Sequence, residues 1–236
     1  MSLRMVGKAV CVADVGCDHA HTDIKLLKDG IAEKCIAMDV RPGPLQKARE
    51  NLKLYGCLEK VELRLSDGFD ALRPKEADIC IIAGMGGVVM KDILERGLGA
   101  DGHLRDHKPV LILQPQSHIY EIRKWLCDNG YAITDEEMCF EDGKYYFAIK
   151  AEPAEEQLTS GSAAEQVLED AVIREAGLHF GPVLIKKKNS LMKQYLDYSY
   201  NKTVRKLDQV KMSSSADAKE KKEYFQSIIE ILEKIR

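Results

Sequence analysis

The stretch VADVGCDHAH, residues 12–21, places one glycine, two carboxylates and two imidazoles within ten residues. A short apolar run, Val12-Ala13-Asp14-Val15, meets Gly16 where a strand would turn toward a helix. Backbone N–H groups at such a turn attract negative charge, so it can hold a phosphate or a carboxylate. A dinucleotide fingerprint needs two more glycines close behind the first. Here Asp18, His19 and Ala20 stand in their place. Chemistry at this turn must therefore tolerate a carboxylate where a phosphate usually sits.

Other strand ends supply partners. Asp39 closes AMDV, 23 residues after Gly16, where a carboxylate can accept hydrogen bonds from a ribose diol. Alternatively, it caps the helix beginning near Pro42. SDGF follows the third apolar run, where Asp67 can accept from an adenine amino group with the Gly68 backbone close to the ring; Ser-Asp-Gly is equally a common surface turn. IIAGMGG, residues 81–87, forms a small loop with one soft apolar side chain, Met85, that admits a flat substrate without offering a base. A tight packing turn is the plainer reading of that loop. In LQPQS, residues 113–117, the Gln114 and Gln116 amides can read base edges or lie in a surface turn.

Taken together, these strand ends describe an adenosine pocket. NAD would bring a pyrophosphate to the Gly16 turn, and two like charges ~4 Å apart cost on the order of 1–4 kcal/mol in a partly solvated setting. S-adenosylmethionine carries a sulfonium and a compact zwitterion instead, and Asp18 suits both cations.

The elements that must position these residues alternate. Strands are expected at 10–15, 34–40, 60–66, 77–83 and 109–114, with a final pair at 131–140 and 144–150. Residues 43–55 read as a helix, with Leu45, Ala48, Leu52 and Tyr55 on one face; 86–96 and 117–129 are spaced similarly. Alternation predicts an α/β fold, a mostly parallel sheet with helices on both sides. EDGK between the last two strands signals a hairpin, so an antiparallel pair closes the sheet. After Pro153 the texture changes, and AEEQLTSGSAAE reads as a boundary between a domain at 1–153 and a helical part at 154–236, with helix able to resume at Ala163. An apolar stripe within Lys186–Met212, then a second through Phe225, Ile228, Leu232 and Ile235, predicts two helices in an antiparallel hairpin. SSSAD separates them, with Ser214 or Ser215 as N-cap.

Charge is unevenly placed. Residues 183–236 hold 13 Lys and Arg against 7 Asp and Glu, while the preceding 182 hold 22 against 31. A basic tail on an acidic body suggests a polyanionic partner, although a helical dimerisation arm would explain the hairpin alone. Seven cysteines without a CxxC pair fit a reducing cytoplasm and give no expectation of a metal. No run approaches ~18 apolar residues, so neither a membrane span nor a signal peptide is expected.

ADVGCDHAH, IIAGMGG, LILQPQ, FEDGKYY and FGPVLIKKKN together resemble the bacterial tRNA adenine(22)-N1 methyltransferases, the TrmK family, in wording and in order. The resemblance runs from about residue 12 to the C-terminus. It implies a class I, Rossmann-like, S-adenosylmethionine-dependent methyltransferase with a coiled-coil-like C-terminal arm that assists tRNA binding. Asp14, Gly16, Cys17, Asp39, Val40, Asp67, Gly68, Ala83 and Gly84 would then line the cofactor site. Asp18, His19 and Met85 would face the transferring methyl, and Gln114-Pro115-Gln116 would approach the base. Lys186, Lys187, Lys188, Lys193, Lys202, Arg205 and Lys206 would contact tRNA phosphates without reading sequence. Two departures stand out: His21-Thr22-Asp23 replaces the family's usual tyrosine after Asp-His-Ala, and Gln-Pro-Gln replaces Gln-Pro-Asn. The rivals are an NAD-dependent oxidoreductase, a methyltransferase of another substrate and a non-catalytic binding protein. The oligomeric state stays open, with a monomer slightly favoured.

Overall fold

In the computed structural model, residues 3–154, 164–212 and 217–236 are described, the side chains of 164–170 excepted. Strands β1 (Ala9–Val15), β2 (Ala32–Asp39), β3 (Val61–Leu65), β4 (Ile79–Met85) and β5 (Val110–Pro115) are joined through helices α1 (His21–Lys28), α2 (Pro42–Leu54) and α3 (Gly87–Leu98). Helix α4 (Ile119–Asp128) leads to β6 (Tyr131–Glu141) and β7 (Lys144–Pro153). The sheet has seven strands in the order β3-β2-β1-β4-β5-β7-β6. Its first five are mutually parallel, and β7 runs antiparallel to β5. Asp142 and Gly143, both at positive φ (48° and 76°), make the two-residue turn between β6 and β7.

Side-chain alternation divides β1 between two cores. Ala13 and Val15 join Ile82, Met90, Leu94 and Trp125 on the α3/α4 side. Val12 joins Ala37, Ile81, Ile24 and Leu52 on the α1/α2 side. Burial of both faces explains why these strands read as near-continuous apolar runs. Because the first five strands are parallel, their carboxyl ends meet at one edge, where ligands of open α/β sheets bind.

The structure lengthens β4 beyond the expected end at residue 83. A register shift between Ala83 and Met85, with Gly84 at φ 74°, bulges the strand and re-aims Met85.

The chain separates into two compact units, Met1–Glu137 with Tyr146–Gln157 and Met138–Tyr145 with Leu158–Arg236. The hairpin tip thus groups with the helical part, whereas the sequence placed all of it in the first domain. That helical unit holds α5 (Ala164–Phe180), α6 (Pro182–Lys187), α7 (Ser190–Lys211) and α8 (Ala218–Ile235). The helix expected to run unbroken through 186–212 is interrupted. Lys188 turns left-handed (φ 46°), and the Asn189 side chain accepts the Met192 N–H at 2.8 Å, capping α7 afresh. α7 and α8 form the expected hairpin; Ser214 and Ser215 lie outside the described residues. Among the described residues no helix is long and apolar enough to cross a membrane, and no group of His, Cys, Asp and Glu is arranged to hold a metal.

Candidate active site

A cleft of about 500 Å³ opens at the carboxyl edge, lined by strand ends and by the first turns of α3. It gathers Gly16, Asp18, Asp39, Val40, Asp67, Gly68, Ala83, Gly84 and Met85. The sequence had not singled out Arg41, Ser66, Val89 and Ile93, which line it too. Val89 and Ile93 are four apart on α3 and so share a face, a spacing visible beforehand.

The turn after β1 resolves the missing glycines. Gly16, Asp18 and Ala20 all take positive φ (81°, 49° and 58°), so the aspartate and the alanine keep a glycine-like conformation. Left-handed backbone costs an L-residue roughly 1–2 kcal/mol, somewhat less for Asp, and must be held by its surroundings. Here the Gly16 and Cys17 N–H groups both donate to the Met38 carbonyl (2.8 and 2.9 Å). The Asp18 N–H donates to Asp39 Oδ2 (3.3 Å), and the Asn51 side chain donates to the His19 carbonyl (3.0 Å). Gly16 has a further constraint: a Cβ there would lie 2.1 Å from the Met85 methyl.

Asp39 is buried, yet its carboxylate works twice. Oδ1 accepts from the Arg41 N–H at 2.9 Å, and the Arg41 guanidinium lies 3.8 Å away. Asp67 is held from α3 by Arg96, whose Nη2 donates at 2.9 Å; the same guanidinium reaches Asp70 and Asp92. Sequence reasoning missed Arg96 because a lone arginine 29 residues from Asp67 gives no local signal. The third cleft carboxylate, Asp18, has the His19 imidazole 3.6 Å away and is 63% exposed. His19 does not line the cleft; its ring stands 6.1 Å from that of His21.

Asp14 and Cys17 were expected in the cofactor site but do not line the cleft. Both are buried, Asp14 beneath the turn facing Asp23 of α1. Burial, then the neighbouring Asp23 charge, pushes the Asp14 carboxyl well up, while burial raises Asp23 to about 6. With both ionised, two buried charges would face each other; a proton kept on Asp14 donates to Asp23 instead, beside the Cys35 thiol and the Asp23 backbone N–H. Two buried carboxylates sharing a proton thus brace the turn from below.

At the β5 end, the Gln114 carbonyl oxygen accepts from the Gly84 N–H at 2.8 Å, so half of that amide is committed to the β4 bulge. Pro115 is buried and Gln116 exposed, its N–H donating to the Met85 carbonyl at 2.9 Å. Ser117 Oγ accepts from the Gly87 N–H at 3.1 Å. In the helical unit, Lys202, Arg205 and Lys206 line one cleft on α7. Lys186, Lys187, Lys188 and Lys193 lie around the α6–α7 break, all exposed.

The arrangement fits a nucleoside with a cationic appendage. Arg41 pairs with Asp39 and Arg96 with Asp67, while Asp18 supplies the carboxylate of the glycine-turn end. There a pyrophosphate would meet the Asp18 charge, whereas a sulfonium or an ammonium would be attracted to it. Fold and cleft together define a Rossmann-like nucleoside-binding protein of the methyltransferase class.

Comparison with known proteins carries this further. The TrmK family, tRNA (adenine(22)-N(1))-methyltransferase, matches residues 12–234, and the chain belongs to it. The tRNA (adenine(22)-N(1))-methyltransferase of Bacillus subtilis is 30% identical over 225 residues, which cover 95% of this chain and 88% of that protein. The crystal structure of the B. subtilis m1A22 tRNA methyltransferase TrmK superposes with a TM-score of 0.79 at 29% identity, over 98% of this chain and 93% of that one. A Streptococcus pneumoniae structure solved in complex with S-adenosyl-L-methionine gives 0.75 at 27% identity, over 100% and 99% of the two chains.

Proposed function

We infer that this chain transfers a methyl group from S-adenosylmethionine to N1 of an adenine in tRNA, adenine-22 by its family. The observation that carries the reading is the acidic glycine-turn end of a nucleoside-sized cleft. When bound, S-adenosylmethionine supplies a methyl group on a sulfonium centre, and its transfer leaves the positive charge on the adenine ring. In this reading Asp39 accepts from the ribose diol, and Asp67, held by Arg96, accepts from the cofactor's adenine amino group. Val40, Val89 and Ile93 offer apolar surface to that ring.

Adenine N1 has its lone pair at neutral pH, so no general base is required and placement does most of the work. Asp18 is assigned the stabilisation of charge developing on the target ring, and His19 its orientation. Met85 is assigned to the methyl side of the cleft. The Gln114-Pro115-Gln116 segment approaches the target base, with the Gln114 NH2 and the exposed Gln116 amide as its donors. Because N1 lies on the Watson–Crick edge, the base must be unpaired or extruded before it reacts. The basic residues of the helical unit hold phosphates, and the protein works in the cytoplasm, where tRNA is.

The test is Asp18→Asn, because asparagine tolerates the left-handed backbone that alanine would strain. Losing one charge in a partly solvated site should cost about 1–3 kcal/mol at the transition state, a fall in kcat of roughly 5- to 150-fold. S-adenosylmethionine affinity by calorimetry should fall as well, by up to about fivefold, the worth of one exposed charge pair. Unchanged turnover would remove Asp18 from the chemistry.

A further inference from the structure

The helical unit, which includes the hairpin tip, carries a chain of aromatic rings. It runs from Phe140 and Tyr145 (centroids 4.7 Å apart) to Tyr195 (4.9 Å) and Tyr198 (5.7 Å) of α7. From Tyr195 it passes through Phe180 and His179 to Tyr224 and Phe225 of α8. Phe180 is buried and Tyr195 half-buried, so those rings serve packing. Tyr198 and Tyr224 differ: they are 49% and 53% exposed, and both line a cleft of about 260 Å³ between α7, α8 and the end of α5.

Two cations stand over this aromatic surface. The Lys202 ammonium lies 5.3 Å from the Tyr198 ring centre, and that of Lys206 lies 5.8 Å from the Phe225 ring centre. An adjoining cleft of about 420 Å³ shares Tyr198, Lys202 and Lys206 and adds Arg205. Tyr198, Lys202, Arg205 and Lys206 share one face of α7 by helical spacing. Among the described residues none of these three cations pairs with a carboxylate, whereas Lys211 of α7 pairs with Asp208 and Arg236 with Asp197 of α7.

We propose that this cleft on the helical unit receives one unstacked nucleobase of the tRNA against Tyr198 and Tyr224, with the flanking phosphates on Lys202, Arg205 and Lys206. The inference rests on the tRNA reading above and deepens it. A surface that only counted phosphates would need cations and no exposed rings. An apolar protein partner would leave three cations uncompensated. Single-stranded nucleic acid needs both groups side by side, since every base has a face to stack and every nucleotide a charge to neutralise.

The experiment is filter binding of the full chain to an unmodified tRNA transcript across a salt series, with S-adenosylmethionine affinity measured alongside. Truncation of an aromatic that stacks on a base costs about 1–3 kcal/mol, so Tyr198→Ala should weaken binding roughly tenfold with an unchanged salt slope. Tyr198→Phe keeps the ring and should bind within about twofold of the parent chain. The Lys202→Ala, Lys206→Ala double variant should lower the salt slope by about 1.5, for two lost phosphate contacts. Tyr224→Ala provides an independent exposed site should Tyr198→Ala lose helix by circular dichroism. Ultraviolet crosslinking should place a nucleotide adduct on Tyr198 or Tyr224. If the parent chain binds tRNA and both tyrosine variants bind as tightly, the nucleobase pocket is refuted while the tRNA reading stands. If the parent chain does not bind tRNA, both are overturned.

Discussion

Replacing Asp23 by asparagine should change how stability depends on pH, and the sign follows from the fold. Asp23 is fully buried, and burial raises its carboxyl from 3.8 to about 6 against Asp14. A carboxyl raised in the folded state contributes stability that is fully present below 3.8 and lost as pH rises through about 6. About two pH units at 1.36 kcal/mol each make that loss about 3 kcal/mol. Asparagine cannot ionise, and it also removes the charge that raises Asp14. The stability of Asp23→Asn relative to the parent should therefore rise by about 2–3 kcal/mol between pH 4 and pH 7. With a urea m-value of about 2–3 kcal/mol per M, the difference between the two midpoints should shift by about 1 M over that range. The assay is urea unfolding followed by Trp125, the single tryptophan, which sits in the core on the α3/α4 side of the sheet. Parallel pH curves for the two proteins would refute the shared-proton account of the turn.

Arg96→Ala should raise the KM for S-adenosylmethionine two- to fivefold with kcat little changed, because it releases an exposed Asp67 from a pair worth at most about 1 kcal/mol. Steady-state kinetics would show it, and an unaltered KM would deny Asp67 its contact with the cofactor. Gly87→Ala should cost about 3 kcal/mol or more in urea unfolding, since its Cβ would lie 2.1 Å from the Ser117 backbone oxygen, which cannot rotate aside. A loss below about 1 kcal/mol would mean that the loop after β5 moves freely.

The sheet was largely legible because strands buried on both faces must be apolar throughout, as Ile79–Ile82 and Leu111–Leu113 are. The residues gathered in the cleft were legible because parallel strands deliver their ends to one edge, so Gly16, Asp39 and Asp67 could be placed together from spacing. What stayed hidden depends on contacts between elements. α1 was not delineated, being a helix of eight residues with Asp23 on its buried face, which breaks the apolar pattern. Asp14 read as a ligand-facing carboxylate because its partner lies on another element. Gln114 read as a base reader, although its carbonyl oxygen holds Gly84 across 30 residues of sequence. The break at Lys188–Asn189 contains neither proline nor glycine, and only the side-chain cap seen in three dimensions reveals it.

Transfer of the methyl group to N1 of an adenine in tRNA is read out by primer extension on unmodified tRNA transcripts incubated with the protein and S-adenosylmethionine. N1 methylation blocks the Watson–Crick edge, so reverse transcriptase should stop at adenine-22. The stop should require S-adenosylmethionine and weaken with Asp18→Asn. It should also fade after mild alkali, which moves the methyl group from N1 to the exocyclic nitrogen. Radiolabel incorporated into tRNA with no stop at any adenine would contradict the assignment to N1. No incorporation by a protein that binds S-adenosylmethionine would contradict tRNA as the substrate.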